Sequence, residues 1–217
     1  MKHIYLKITL IGISLTTFSA FAKEDSIEFS LGSGAALSYG EDITIKRSGS
    51  ADVDLGVVNF DTNPFEAPIY YDVRLAKWKD NSAWELEFVH HKLYMDSSDL
   101  DNDQGVDVSN FDINYNLLYG NYAKEITPNN IARFGAGLVI PSSEITINGV
   151  KSNQSYKIAG ATFQLGIEHD FPINQYLIFS IEGKMTYSYA KIEVENSSAM
   201  VPNTAVHLLF HLKYSLK

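Results

Sequence analysis

Three groups of side chains could do chemistry. His90 and His91 are adjacent and close the run Trp84-Glu85-Leu86-Glu87-Phe88-Val89-His90-His91-Lys92. An imidazole can serve as a general base or a metal ligand, so this pair is a candidate catalytic site. Asp99, Asp101 and Asp103 follow, spaced like the opening of a calcium loop. The pattern then lapses, with Gln104 where such a loop needs glycine and Asn110 where it needs glutamate. A solvated acidic loop is the first reading and a divalent-cation site the second; no other cofactor is expected. The third group is Asp72, Arg74, Glu85, Glu87, Asp112, Arg133, Glu168, Glu182, Lys184, His207 and His211, each on the polar side of an alternating segment. His207 and His211 are four apart, which on a strand is about 13 Å. They cannot share one metal, because a His-x-x-x-His site needs a helix. No G-x-S-x-G, H-E-x-x-H or glycine-rich phosphate loop is present. With no cysteine, thiol nucleophiles, zinc–thiolate sites and iron–sulfur clusters are excluded.

A period of two positions these groups. Near the C-terminus Val206, Leu208, Phe210, Leu212, Tyr214 and Leu216 alternate with Ala205, His207, Leu209, His211, Lys213 and Ser215. Before them Leu177, Phe179, Ile181, Met185, Tyr187 and Tyr189 alternate with Ser180, Glu182, Lys184, Thr186 and Ser188. This is a strand with a different solvent on each face. The division recurs six more times. Ile27, Phe29, Leu31 and Leu37 oppose Glu28, Ser30, Gly32 and Gly34; Ile69, Tyr71, Val73 and Leu75 oppose Asp72, Arg74 and Ala76. Trp84, Leu86 and Phe88 oppose Glu85 and Glu87; Phe111, Ile113, Tyr115, Leu117 and Tyr119 oppose Asp112, Asn114, Asn116, Leu118 and Gly120. Ala132, Phe134, Ala136 and Leu138 oppose Arg133, Gly135 and Gly137; Ala161, Phe163, Leu165 and Ile167 oppose Thr162, Gln164, Gly166 and Glu168. Each of the eight segments has roughly the 9–11 residues that carry a tilted strand across a bilayer.

The connections alternate in length. Short turns lie around Asp80-Asn81, Glu125 to Asn130 and Asp170 to Gln175; long loops span about 40–66, 96–110, 141–155 and 191–202. An even strand count with short turns at one end and long loops at the other predicts an all-β, eight-stranded antiparallel up-and-down transmembrane β-barrel, with short periplasmic turns and long extracellular loops. A soluble sandwich also alternates. Two features favour the barrel: small residues on the polar faces, suiting a cramped interior, and aromatics near strand ends on the apolar faces, suiting interfacial girdles. The turn at Asp80-Asn81 sets Arg74 opposite Glu87 and Ala76 opposite Glu85, so Arg74 should be held by Glu87 and Glu85. The predicted lumen carries seven acids (Glu28, Asp72, Glu85, Glu87, Asp112, Glu168, Glu182) against four bases (Arg74, Arg133, Lys184, Lys213). That excess calls for protonated imidazoles or a bound cation, and a plug of paired side chains is the simplest use of such a lumen.

Residues 1–22 contain Lys2 and Lys7, no acid, a mostly apolar run and a closing Ala20-Phe21-Ala22. This reads as a cleaved signal peptide, leaving 23–217 as the barrel domain. Losing two lysines takes the formal charge from −9 to −11. With no basic run, nucleic acid is not an expected partner; outer-membrane lipid and lipopolysaccharide are, and a monomer is expected.

The chain resembles the small eight-stranded outer-membrane barrels of the OmpA/OmpX/OmpW type. A narrower resemblance, to barrel proteins of the lipid A oxidase-like kind, rests on Pro68-Ile69-Tyr70-Tyr71-Asp72-Val73-Arg74, the Trp84–Lys92 run, Gly135-Ala136-Gly137, Ile140-Pro141 and Glu182-Gly183-Lys184-Met185-Thr186-Tyr187. The first implies location in the outer membrane of a Gram-negative bacterium. The second implies a lipid A-modifying enzyme and carries no catalytic motif onto named residues. Three functions follow in order: a structural or surface-binding protein acting through its extracellular loops, a lipid A-modifying enzyme, and a narrow porin-like channel for small solutes.

Overall fold

The computed structural model describes residues 25–63, 69–95, 105–194 and 197–217. The expected signal peptide, 1–22, and Asp99, Asp101 and Asp103 lie outside the described residues.

The described residues form thirteen strands: β1 (Ser26–Ser38), β2 (Glu41–Arg47), β3 (Val53–Val58), β4 (Phe60–Asp61), β5 (Tyr71–Lys79), β6 (Ser82–Met95), β7 (Val108–Thr127), β8 (Asn130–Val139), β9 (Ser142–Ile147), β10 (Val150–Gln154), β11 (Gly160–Pro172), β12 (Leu177–Val194) and β13 (Ser197–Leu216). Eight of them close a ring in the order β1, β5, β6, β7, β8, β11, β12, β13 and back to β1, every pairing antiparallel. Closure leaves the ring no free edge, which is the condition for a sheet to stand in lipid. The turns are built as their residues require. Asp80 and Asn81 both have positive φ, the two-residue turn that matches strand twist. It sets Arg74 opposite Glu87 and Ala76 opposite Glu85, as expected.

The long connections are more ordered than the sequence suggested. β2 and β3 form a hairpin that adds to the far end of β13. β9 and β10 form another, closed by Asn148-Gly149 with positive φ, which adds to β7. Three ring strands also run well past a bilayer's needs: β7 and β13 have 20 residues each and β12 has 18.

The polarity of the two faces inverts along these long strands. In the half nearer the short turns, the outer face is apolar: Phe29, Leu31, Leu75, Trp84, Leu86, Phe134, Phe163, Leu165, Leu208, Phe210 and Leu212 are all exposed there. The interior of that half carries buried charge. A soluble sandwich would have the reverse. Toward the long loops, the inner face becomes apolar, with Ile43, Ile45, Val53, Val58, Leu93, Phe111, Ile113, Ile145, Ile192 and Val201 buried in one cluster. The outer face there is polar, with Asp42, Thr44, Lys46, Asp54, Lys191 and Glu193 exposed. The lower half is built for lipid and the upper half for water. On β6 the change falls between Phe88 and Lys92; on β12 it falls between Tyr189 and Lys191.

This inversion corrects one assignment. Asp112 was expected in the lumen, with Asn114, Asn116, Leu118 and Gly120. On β7 it is Phe111, Ile113, Tyr115, Leu117, Tyr119 and Asn121 that face inward and are buried. Much of β7 lies in the upper half, where apolar side chains belong inside. Asp112 therefore faces outward.

Candidate functional site

The lower lumen is filled by one connected ionic network. Arg74 sits at its centre, 1% exposed. It donates from Nη2 to Glu87 at 2.9 Å and to Glu182 at 2.6 Å, and from Nη1 to Glu168 at 3.0 Å. Arg133 grips Glu85 with two nitrogens, at 2.5 Å and 3.1 Å, and reaches Glu182 at 2.7 Å. Glu85 was expected on Arg74; its oxygen lies 3.8 Å from Arg74 Nε and belongs mainly to Arg133. Lys184 bonds Asp72 at 3.2 Å and also Glu87. Lys213 bonds Glu168 and, at 2.6 Å, Asp170. His211 Nε2 stands 3.2 Å from Asp72, and its ring also faces Glu168 and Glu182. Planar guanidinium forks suit this work, since each can hold several carboxylates at once.

Sequence reasoning missed part of this network. Asp170, assigned to a turn, is buried and takes the place intended for Asp112, so among the described residues seven acids still face four bases. Neutral donors serve the excess carboxylate oxygens. Trp78 Nε1 donates to Glu28 at 2.9 Å, Asn121 to Glu87 at 2.6 Å, and Gln164 to Glu87 as well. Period-two alternation puts Trp78 and Gln164 on lumen faces, but a search for titratable groups passes them by. Glu168, Glu182 and His211 stand close enough together to hold a metal ion. Their carboxylates are already held by Arg74, Arg133 and Lys213, so the cluster is an ion-pair network.

Above the network lies an aromatic layer. His207 is bonded on both nitrogens, to Tyr70 Oη at 2.9 Å and Thr186 Oγ1 at 2.9 Å. Tyr115 donates to the Val201 carbonyl at 2.8 Å, and Tyr119 meets Thr162 at 2.7 Å. His91 points inward among the rings of Tyr70, Tyr115 and His207. Neither of its nitrogens has a hydrogen-bond partner among the described residues. A buried polar group without partners costs roughly 1–3 kcal/mol. His91→Leu, close in volume, is therefore expected to raise the urea midpoint of the barrel in lipid vesicles by about 1 kcal/mol of stability. A lowered midpoint would mean that the imidazole is served by something the fold does not supply.

His90 points the other way, outward, at the level where the outer face changes from apolar to polar. It is nevertheless only 5% exposed. Its ring stacks on Tyr71 at 5.1 Å between centroids. Asn116 donates from Nδ2 to the Ile140 carbonyl at 2.9 Å, which turns its Oδ1 toward His90 Nδ1 at 2.6 Å. Nδ1 must then carry a proton, leaving Nε2 as the acceptor nitrogen of the neutral ring. Nε2 has no partner among the described residues. A hollow of about 420 Å³ adjoins this group, lined by Tyr71, Phe88, His90, Asn116, Ile140 and Tyr156.

No protein-family model matches the chain, and no curated protein matches it. Solved structures do. The outer-membrane protein AlkL, determined in lipid bilayers, superposes with a TM-score of 0.53 at 13% identity, covering 95% of this chain and 97% of AlkL. This is an outer-membrane-type β-barrel. OprG from Pseudomonas aeruginosa gives 0.48 at 12% identity over 88% of this chain and 97% of its own. Ail of Yersinia pestis gives 0.43 at 11% identity over 89% of this chain and 100% of its own. At such identities the likeness is one of fold, and the fold is that of the small barrels of the Gram-negative outer membrane.

Proposed function

We propose that this barrel does not conduct and that it works by binding at its extracellular end. The filled lumen supports this reading. The lower half is packed with paired charges, and the upper half is closed by an apolar core to which the β2–β3 hairpin contributes Ile43, Ile45, Val53 and Val58. A barrel of eight strands has an interior that side chains can just fill. The β2–β3 and β9–β10 hairpins extend the barrel wall into water and offer surface for a partner. Planar bilayers containing the purified protein are expected to show no discrete current steps under applied voltage. Reproducible unitary steps would favour the channel reading instead.

A second reading, a lipid A-modifying enzyme, is favoured by His90. An imidazole fixed in one tautomer by Asn116, with an unused acceptor nitrogen, is what a general base requires. It stands on the lipid-facing side at headgroup level. Lipid A from cells with and without the gene should then differ by mass spectrometry, and His90→Gln should abolish the difference. Identical spectra in all three strains would remove this reading.

A further inference from the structure

The outer faces of β6 and β7 carry a second feature beyond His90. Going up β6, the outward residues are Phe88, His90, Lys92 and Tyr94. Coming down β7 beside them are Asp112, Asn114, Asn116 and Leu118. The register sets His90 opposite Asn116, Lys92 opposite Asn114 and Tyr94 opposite Asp112. On the far side of β7, β9 sets Ser142 opposite Asn114 and Glu144 opposite Asp112. Directly above the aromatic hollow at His90 is a second one of about 370 Å³, lined by Lys92, Tyr94, Asp112, Asn114, Ser142 and Glu144. Adjacent outward residues on one strand stand about 7 Å apart, so the two hollows lie one above the other along these strands and together outline a cleft. Its lower part is apolar and aromatic. Its upper part is mainly polar.

The polar part has a distinct composition. Lys92 donates to Tyr94 Oη at 2.6 Å, and Asn114 donates to Ser142 at 3.1 Å. Lys151 pairs with Glu144 at 2.7 Å. Cations and carboxylates therefore balance, and donors alternate with acceptors within a few ångströms. Burial, reinforced by Glu144, holds the Asp112 carboxyl above the ordinary carboxylate range, against an Asn110 hydrogen bond and Lys92. Hydroxyl groups, each donor and acceptor at once, match such a lining. Aromatic rings beside it offer faces to sugar rings. A ligand here must also continue into lipid, because the cleft opens downward onto the apolar belt.

We propose that the cleft along β6, β7 and β9 holds the saccharide headgroup of an outer-leaflet glycolipid, with its acyl chains along Phe88 and the belt below. The proposal names the partner of the extracellular-end binding reading, and rests on it. Asn114, Lys92 and Asp112 contact sugar hydroxyls, and His90 Nε2 accepts from the group nearest the acyl chains once Tyr156, which is exposed at the rim, moves aside.

The test uses the refolded full chain in detergent micelles with equal amounts of lipid A and phosphatidylglycerol, read by native mass spectrometry. The wild-type protein should retain lipid A in preference. Lys92→Leu combined with Asn114→Leu should lower that retention about tenfold, the loss expected from one or two hydrogen bonds. Lys191→Leu, outward in the polar zone but away from the cleft, should leave retention unchanged. Equal retention of the two lipids by wild type, or equal lipid A retention by the double variant, would overturn the proposal. So would an equal fall in the Lys191 variant. Heat-modifiable gel migration checks that each variant has folded. The bilayer-current measurement is independent of lipid retention: a silent protein without lipid selectivity would refute the cleft and leave the non-conducting reading standing.

Discussion

Arg74→Ala is expected to lower the stability of the barrel by about 3–5 kcal/mol, because it leaves uncompensated charge in a buried site. The guanidinium is bonded to Glu87, Glu168 and Glu182, all fully buried. Unfolding in urea, with the protein in lipid vesicles, reads the loss as a lower midpoint. Arg74→Lys should recover only part of it, since one ammonium cannot reproduce the fork that reaches three carboxylates. The double variant Arg74→Ala with Glu87→Ala should lose less than the two single variants added together, because they share an interaction. The coupling will be partial. Glu87 also receives Asn121, Gln164 and Lys184, and Arg74 also holds Glu168 and Glu182. Strict additivity would show that the hairpin register does not bring the two side chains together.

That pairing was legible in the sequence for a simple reason. The Asp80-Asn81 turn has two residues and admits one register, and a strand period of two then fixes the face of every side chain. The belt on β1, β5, β6, β8, β11, β12 and β13 was legible by the same logic, because their lower segments show apolar side chains to lipid. β7 was not. Its apolar residues Phe111, Ile113 and Tyr115 pack inside the water-exposed half, so an alternation that looks the same has the opposite sense. One signal could have revealed this. Asp112, Asn114 and Asn116 are opposed to residues that resemble those of a soluble core, and an inward Asp112 would have stood among Leu93, Ile145 and Val201 without an ionic partner. The hairpins within the long connections were harder to see, since β2, β3, β9 and β10 have only 5–7 residues each. Asn148-Gly149 marked one of them. The outward cleft was invisible as long as Asp112 was placed inside.

Gly137→Ala is expected to cost about 1–3 kcal/mol, although it adds a single methyl group. A Cβ at Gly137 would overlap the Leu118 carbonyl oxygen on β7, with the carbonyl carbon at 2.8 Å and the Tyr119 Cα at 2.9 Å. All three are backbone atoms of the paired strand, so no rotamer change relieves the clash. β7 and β8 would have to separate, and Tyr119 with its hydrogen bond to Thr162 would move with them. Gly120 and Gly183 supply the control. A Cβ at either meets nothing within 4 Å, and neither lies on a lumen-facing position. Alanine there should be neutral or mildly stabilising, because glycine weakens a strand interior through its entropy and lack of packing. The two outcomes separate steric closeness between β7 and β8 from any general intolerance of larger residues in this barrel. A urea midpoint for Gly137→Ala equal to that of Gly183→Ala would show that the strands stand farther apart than their register requires.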